Sequence, residues 1–263
     1  MKVSRNELIE LLKLAFEGLG FDQGDYENAA KLVTYAEMWG LGGLEVLARA
    51  LVGPSLRQHQ PVQVLQEDHH SAVIDGQDLS SLLCLRSAAD LAYVKCLSSP
   101  VGKVMITRCQ HRLLVFQLLI SLGLRWVACS ASWWAGPEDD FLHVLNVFPG
   151  ERNPLPEYSI YRVKGEKVKG DKVKGNKIGL TSTRQLDIYS AQSSQAMSAY
   201  LLELLPPSAD LIKTLNSGDM LANYETSLVD GIGVDDALWS KLVSLAAEML
   251  VPSSDQSRSG AGD

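Results

Sequence analysis

The sequence has little of several features that would assign a function directly. Only 7% of its 263 residues are aromatic, and its four cysteines form no CxxC pair. Lys and Arg number 24 against 31 Asp and Glu, a formal net charge of -7. A protein that binds nucleic acid needs a concentrated basic face to contact the phosphates, so this excess of acidic residues argues against a nucleic-acid partner. No apolar run approaches the roughly 18 residues that span a bilayer, so we expect no membrane segment.

The cysteines and the first residues predict a cytoplasmic protein. The cysteines are widely spaced among apolar neighbours, which is typical of reduced thiols used as small hydrophobic residues. They are Cys84, Cys96, Cys109 and Cys129. The opening stretch, Met1 to Glu7, has neither the apolar core nor the cleavage site of a signal peptide.

Residues 1–55 are predicted to form a helical section. Ser4 and Glu7 have the spacing of a capping box, which starts a first helix. A second helix is expected after Asp22, and a third over Leu44–Val52.

Residues 56–251 are predicted to form an α/β domain. A strand over Lys103–Thr107, an apolar helix over Leu113–Leu122 and a strand over Arg125–Ser130 form a strand-helix-strand unit, which favours parallel pairing. Further expected elements are short strands over 62–64 and 72–75, a helix over 82–96, an apolar run over Phe141–Phe148, a strand over Thr181–Ser190, and helices over Ala196–Leu205 and Ala237–Leu250. The predicted architecture is a helical section packed on a mixed, partly parallel sheet.

Two segments are expected to lie outside the packed structure. Residues 163–177 repeat VKGEK, VKGDK and VKGNK, too short a period for a solenoid, so we predict a solvated lysine-rich loop. A patch that binds nucleic acid or another anion is the less favoured alternative, because no aromatic residues are interleaved. Residues 252–263 are small and polar and are predicted to be a flexible tail.

Motifs that carry chemistry are scarce. His69 and His70 are adjacent, so on a strand their side chains would point apart, and no metal site is predicted. Gly40-Leu41-Gly42-Gly43 follows a helix rather than a strand, so it indicates a helix-to-helix turn and no nucleotide loop. The segment around His111 follows a predicted strand, where α/β proteins bind ligands, although a hydrogen-bonded structural histidine explains it as well. Asp187 is expected in a structural ion pair.

Five short segments, taken in order, resemble a known family. They are Ala36–Leu41, Val73–Gly76, Val101–Val104, Gln110–His111 and Gly123–Leu124. Over roughly Asn6 to Ser132, the chain is similar to the malate/L-lactate dehydrogenase-like family of NAD(P)-dependent oxidoreductases. The whole chain, including Leu250–Ser253 and Ser257–Arg258, resembles an uncharacterised bacterial family, a domain of unknown function that is a divergent relative.

The chain departs from the dehydrogenase pattern at its chemical positions. The family's Ser-His-Gly motif, whose His is the acid/base, corresponds to Gly43-Leu44-Glu45 here. The His-Phe-Gly motif corresponds to His111-Arg112-Leu113, and the Gly-Thr-Asn-Pro segment keeps only Asn153-Pro154. The resemblance therefore implies cofactor-binding candidates at His111, Asn153 and Pro154, with His111 also the candidate catalytic residue.

Three functional hypotheses follow. The favoured one is a non-catalytic or repurposed relative that acts as a ligand-binding or accessory protein, since Leu44 cannot exchange a proton. The alternative is an active NAD(P)-dependent oxidoreductase on a small 2-oxo or 2-hydroxy acid or an imine, with His111, Glu37 or Glu45 as the proton donor. A binding module that acts through the lysine repeat is the least favoured. The residues by themselves predict no cofactor, and the resemblance implies NAD(P) and a homodimer. Trp133-Trp134 fits an interface, although burial in the core is favoured.

Overall fold

The computed structural model describes residues 1–56, 62–136, 140–151, 153–163 and 184–248. Eight α-helices occur in these residues: α1 Arg5–Gly18, α2 Gln23–Met38, α3 Gly43–Ala50, α4 Ser81–Ser98, α5 Phe116–Gly123, α6 Ser194–Leu204, α7 Ser217–Asp230 and α8 Asp236–Ala247. Ten strands accompany them: β1 Lys2–Val3, β2 Gln63–Glu67, β3 Ser71–Asp75, β4 Gly102–Thr107, β5 Ala128–Ala135, β6 Phe141–Phe148, β7 Leu155–Val163, β8 Leu186–Ala191, β9 Ala209–Leu215 and β10 Ile232–Gly233. Short 3₁₀ helices cover Pro54–Leu56 and Arg112–Val115.

The N-terminal helices form as their sequence predicts. Ser4 Oγ accepts the Glu7 N–H at 3.2 Å and the Glu7 carboxylate accepts the Ser4 N–H at 2.7 Å, which completes the capping box. The glycine-rich segment after α2 is a turn between helices, as predicted, and Gly42 takes a positive φ of 72° there. Gly43 lets α3 approach α2, because a Cβ on it would lie 2.2 Å from the Val33 carbonyl oxygen.

The main sheet has eight strands in the order β2-β3-β4-β8-β5-β6-β7-β9. Among the described strands only β3 and β4 pair in parallel, and α4 connects them; the other neighbours are antiparallel. Helices α4 and α5 pack over one face, with α2 packed on both of them, and α6 packs over β5 and β8 on the other face. This is the mixed, partly parallel sheet that the sequence predicts.

The predicted parallel pairing of the two strands in the strand-helix-strand unit is wrong, because β8 lies between them. Strands β4 and β5 run in the same direction, but β8 lies between them and pairs antiparallel with both. Its residues Leu186 and Ile188 are buried under one face and Tyr189 under the other, so this late segment belongs in the centre of the sheet.

Several predicted bounds also shift. The apolar segment from Arg112 begins as a 3₁₀ turn, so α5 starts at Phe116, and the turn over Leu124–Trp126 delays β5 to Ala128. The strand expected from Thr181 is β8, which begins at Leu186, and the sequence did not predict β7, β9 or α7. The lysine repeat beyond Val163 and the tail over 252–263 lie outside the described residues, as does the predicted end of the last helix at Leu250.

One hydrophobic core joins the N-terminal helices to the sheet. Its residues run from Val3 in β1 to Leu242 in α8. Trp133 is buried in this core, in line with the favoured prediction, while Trp134 is partly buried on the opposite face. None of the described helices is both long and apolar enough to cross a membrane.

Candidate functional site

Two loops meet at the edge of the sheet where the parallel strands end. Strands β3 and β4 finish in register at Asp75 and Thr107, and their loops run over 76–80 and 108–111. Among the described residues, four of the five non-glycine residues with positive φ lie in these loops: Gln77, Asp78, Arg108 and His111. Such conformations cost about 1–3 kcal/mol each and concentrate at functional sites. We call this end of the sheet the carboxyl edge.

Charged groups hold the two loops together. Arg108 Nε donates to Asp75 Oδ1 at 2.8 Å, and its Nη2 contacts Asp75 Oδ2. The Arg108 guanidinium lowers the pKa of the Asp75 carboxyl, so this carboxylate stays ionised. Arg184, just before β8, donates to Asp78 Oδ1 at 2.6 Å, and Gln110 Nε2 donates to the Asp78 carbonyl at 2.6 Å.

His111 lies at the end of the second loop, half-buried. Its Nδ1 lies 3.1 Å from Ser80 Oγ, and Ser81 Oγ donates to its carbonyl at 2.8 Å. Burial, together with the positive charges of Arg49 and Arg112, lowers the pKa of His111 to about 4. The imidazole is therefore neutral near pH 7. Among the described residues, its Nε2 has no hydrogen-bond partner.

A second histidine lies at the same edge and was missed from the sequence. His143, near the start of β6, has its Nδ1 2.6 Å from the Tyr158 hydroxyl of β7. Its ring stacks on Trp133 with centroids 5.2 Å apart and planes 17° apart. Burial and the charge of Arg112 lower the pKa of His143 to about 4, while burial raises the pKa of Tyr158. The sequence signal that could have found His143 is a histidine inside the largely apolar run Phe141–Phe148.

Arg112 lies near enough to His111 and His143 for its charge to affect both. Its guanidinium donates to the Gln185 carbonyl at 3.4 Å, so the side chain extends along the carboxyl edge toward the central strands. Its charge disfavours protonation of both His111 and His143. Arg112 thus lies close enough to both neutral imidazoles for its charge to act on them, and a guanidinium near imidazole donors suits a small anion.

The other proton-donor candidates have different surroundings. Leu44, which we expect at the position of the family's acid/base His, is only 6% exposed and packs in the core. Glu37 Oε2 accepts the Leu44 N–H at 2.9 Å, and burial raises the pKa of this carboxyl. Glu45 is exposed and lies 3.4 Å from Arg49. His111 is thus the candidate that lies in the carboxyl-edge loops.

Asn153 and Pro154 lie at the opposite edge of the sheet from His111. They precede β7, and a Cβ on Gly123 at the end of α5 would be 2.9 Å from Pro154 Cβ. The eight residues of α5, about 12 Å of helix, separate that contact from the His111 turn. The structure therefore does not bring the three cofactor candidates together.

The remaining candidates have structural surroundings. Asp68 accepts the backbone N–H of both His70 and Ser71 at 2.7 Å, so it shapes the turn between β2 and β3. The described residues contain no group of three or more side chains placed to hold a metal. All four cysteines are free and buried, as predicted. Asp187 lies 4.0 Å from Lys103, in line with the expected ion pair.

Comparisons with known sequences give one family match. The sequence model of a family described as a protein of unknown function (DUF3726) matches residues 3–88. No curated protein matches the sequence.

Solved structures match over nearly the whole chain. Malate dehydrogenase from Pyrococcus horikoshii OT3 superposes with a TM-score of 0.66 at 12% identity, covering 96% of each chain. Sulfolactate dehydrogenase from Methanocaldococcus jannaschii gives 0.64 at 15% identity, covering 94% of this chain and 97% of that one. Delta1-piperideine-2-carboxylate reductase from Pseudomonas syringae gives 0.56 at 13% identity, with 93% and 99% covered. The chain therefore has the malate/L-lactate dehydrogenase-like fold, and its residues 3–88 match the model of the DUF3726 family.

Proposed function

We propose that this protein is a non-catalytic or repurposed relative of the malate/L-lactate dehydrogenase-like oxidoreductases that binds a small anionic ligand. The observation that carries the proposal is the burial of Leu44 where the family has its acid/base His. A leucine side chain neither donates nor accepts a proton, so the ordinary transfer to a carbonyl or hydroxyl oxygen has no donor there.

The neighbouring groups support the same conclusion. Glu37 bonds the N–H of Leu44 and so caps the start of α3, and Glu45 is a solvated surface group. His111 is neutral near pH 7 because its pKa is about 4, so it offers a hydrogen bond rather than a readily lost proton.

A nicotinamide dinucleotide fits the carboxyl edge poorly. Its pyrophosphate needs unpaired cations or a glycine-rich turn before a helix. Here Arg108 and Arg184 already pair with Asp75 and Asp78, whose carboxylates would repel a phosphate. We therefore expect that NAD(P) does not bind at the carboxyl edge.

Arg112 and the two imidazoles favour a small carboxylate as the ligand. A guanidinium binds a carboxylate through two parallel N–H bonds, and a neutral imidazole can donate to a keto or hydroxyl oxygen. A 2-oxo or 2-hydroxy acid offers both groups. We further propose that the protein works in the cytoplasm as a homodimer.

The second candidate function is an active NAD(P)-dependent oxidoreductase with a changed proton donor. The observation that favours it is the position of His111 Nε2, which lies at the carboxyl edge and has no hydrogen-bond partner among the described residues. In this case the neutral His111 imidazole would accept the proton of a substrate hydroxyl group while that group is oxidised to a carbonyl and its hydride goes to the nicotinamide.

Calorimetric titration separates the two functions. We expect pyruvate or oxaloacetate to bind, Arg112→Gln to weaken that binding at least about tenfold, and NADH and NADPH not to bind. Arg125→Gln, at the opposite edge, is the matched control and should leave binding unchanged. Lack of binding by both acids would overturn the proposal. Binding of NADH with its consumption in the presence of either acid would establish the oxidoreductase instead.

A further inference from the structure

Ser80, the last residue before α4, is completely buried where the first loop of the carboxyl edge meets the second. Its relative exposure is 0%, and its N–H donates to the Ser55 carbonyl at 3.1 Å. A parallel bridge pairs its backbone with Gln110 of the second loop, whose N–H donates to the Leu79 carbonyl at 3.0 Å. The Ser80 side chain is therefore held in a fixed place beside the loop that carries His111.

The Ser80 hydroxyl has two hydrogen-bond neighbours among the described residues. The Leu82 N–H donates to Ser80 Oγ at 3.4 Å, and this bond is the side-chain cap at the start of α4. The other neighbour is His111 Nδ1, which lies 3.1 Å from Ser80 Oγ. A backbone N–H can only donate, so the acceptor for the hydroxyl proton is His111 Nδ1.

This hydrogen bond decides which ring nitrogen of His111 carries the proton. A neutral imidazole has one N–H and one bare nitrogen, and the nitrogen that accepts from Ser80 is the bare one, so the proton is on Nε2. In the opposite tautomer, Nδ1–H would donate to Ser80 Oγ, and the buried hydroxyl proton would have no acceptor among the described residues. A buried donor without an acceptor is unfavourable, so the tautomer protonated at Nε2 is the stable one.

We propose that Ser80 is a positioning residue that fixes the proton of His111 on Nε2. The inference rests on the proposed function, because it specifies what the His111 ring offers to a ligand at the carboxyl edge. A protonated Nε2 donates a hydrogen bond, so the site selects a ligand that brings a carboxylate or keto oxygen. The same nitrogen cannot accept the proton of a substrate hydroxyl group, which is the step that the alternative, oxidising function requires.

Heteronuclear NMR of the ligand-free full chain at neutral pH tests this assignment. Long-range proton–nitrogen correlations show which ring nitrogen is protonated, and the signals that His111→Gln removes identify His111. We expect a protonated Nε2 and a bare, hydrogen-bonded Nδ1. In Ser80→Ala the Nδ1 resonance should shift, because that nitrogen loses its hydrogen bond. Ser80→Thr keeps a hydroxyl group and should keep the parent signals of this ring.

Two further variants separate the effect of the hydroxyl from the effect of the surrounding fold. Aspartate also caps a helix well, but its carboxylate only accepts, so Ser80→Asp should move a proton to Nδ1. Ser81→Ala is the matched control, because it removes the bond from Ser81 Oγ to the His111 carbonyl at 2.8 Å and leaves the partner of the ring in place. It should leave the protonation of the ring unchanged.

Two results overturn the assignment of the tautomer: a parent protein with the proton on Nδ1, and a Ser80→Ala protein whose Nδ1 resonance matches that of the parent. The ligand proposal is judged in a separate step, in which pyruvate or oxaloacetate is added to the parent protein. Binding should shift the Nε2 resonance of His111 and leave its proton in place. If neither acid shifts this resonance, the proposed function fails, while the tautomer, measured without ligand, is unaffected.

Discussion

At the scale of single residues, Leu44 is buried as well as apolar. It contributes to the core shared by α2, α3 and the sheet, and its N–H is bound by Glu37. A histidine there would place a polar ring in an apolar site.

We predict that Leu44→His destabilises the protein and restores no activity. The free energy of unfolding, measured in urea, should fall by about 1–3 kcal/mol. Leu44→Met keeps the volume and the apolar character, so it should cost less than about 1.5 kcal/mol. A Leu44→His protein as stable as its parent and able to reduce a 2-oxo acid with NADH would show that the active site survives except for this side chain.

The two low-pKa histidines make stability depend on acid pH. His111 and His143 titrate near pH 4 when folded, against an ordinary value near 6.5. Between these values the unfolded chain binds more protons, so the free energy of unfolding decreases as pH falls from about 6.5 to about 4. Above pH 7 both residues are neutral in either state and contribute no slope.

Replacing His143 with Gln should remove part of this dependence. Each proton taken up on unfolding contributes up to about 1.4 kcal/mol per pH unit, and the variant takes up one fewer. The measurement is urea denaturation at a series of pH values between 4 and 7.5, with the exposed His69→Gln as the control. Equal slopes for parent and His143→Gln would mean that His143 is protonated in the folded protein.

At the scale of elements, close helix contacts depend on residues without side chains. Helix α1 packs against α8. At the end of α1, Gly18 lies against the backbone of α8, because a Cβ on Gly18 would be 2.1 Å from the Leu245 carbonyl oxygen. A backbone atom cannot move aside as a flexible side chain can. The contact therefore requires glycine although α1 itself would favour alanine.

We predict that Gly18→Ala destabilises the protein by about 1–3 kcal/mol, because α1 and α8 must separate. Thermal and urea unfolding measure the loss. Gly53→Ala is the matched control: a Cβ on Gly53 would have no atom within 4 Å, and the change should be neutral or stabilise by up to about 1 kcal/mol. Equal effects of the two substitutions would contradict close packing of α1 on α8.

At the scale of the whole molecule, the described helices before residue 56 and the described sheet and helices after it share one continuous core. Trp39, directly after α2, packs edge-on against Phe116 of α5 with ring centroids 5.6 Å apart and stacks on Tyr224 of α7 at 4.9 Å. Elements far apart in sequence therefore bury each other's apolar surface.

We predict a single cooperative unfolding transition for both sections. Tryptophan fluorescence and far-ultraviolet circular dichroism should give the same urea midpoint, because neither section keeps its core without the other. A chain that begins at residue 62 should not fold alone. Two separated transitions, or a folded truncated chain, would show that the sections are independent domains.

The sequence by itself determined much of the local structure and predicted the fold. Capping residues, helical spacing and glycine positions predicted α1 to α4 and α8, because these signals act over a few neighbouring residues. The order of short segments predicted the dehydrogenase-like fold, which the solved structures confirm. The replacement of the family's acid/base histidine by Leu44 stays a prediction.

Only the tertiary structure decided which distant residues meet. The position of β8 between β4 and β5, the contact of His143 with Tyr158, and the separation of His111 from Asn153 and Pro154 depend on strand order. Strand order is set by long-range burial and pairing, which no local pattern contains.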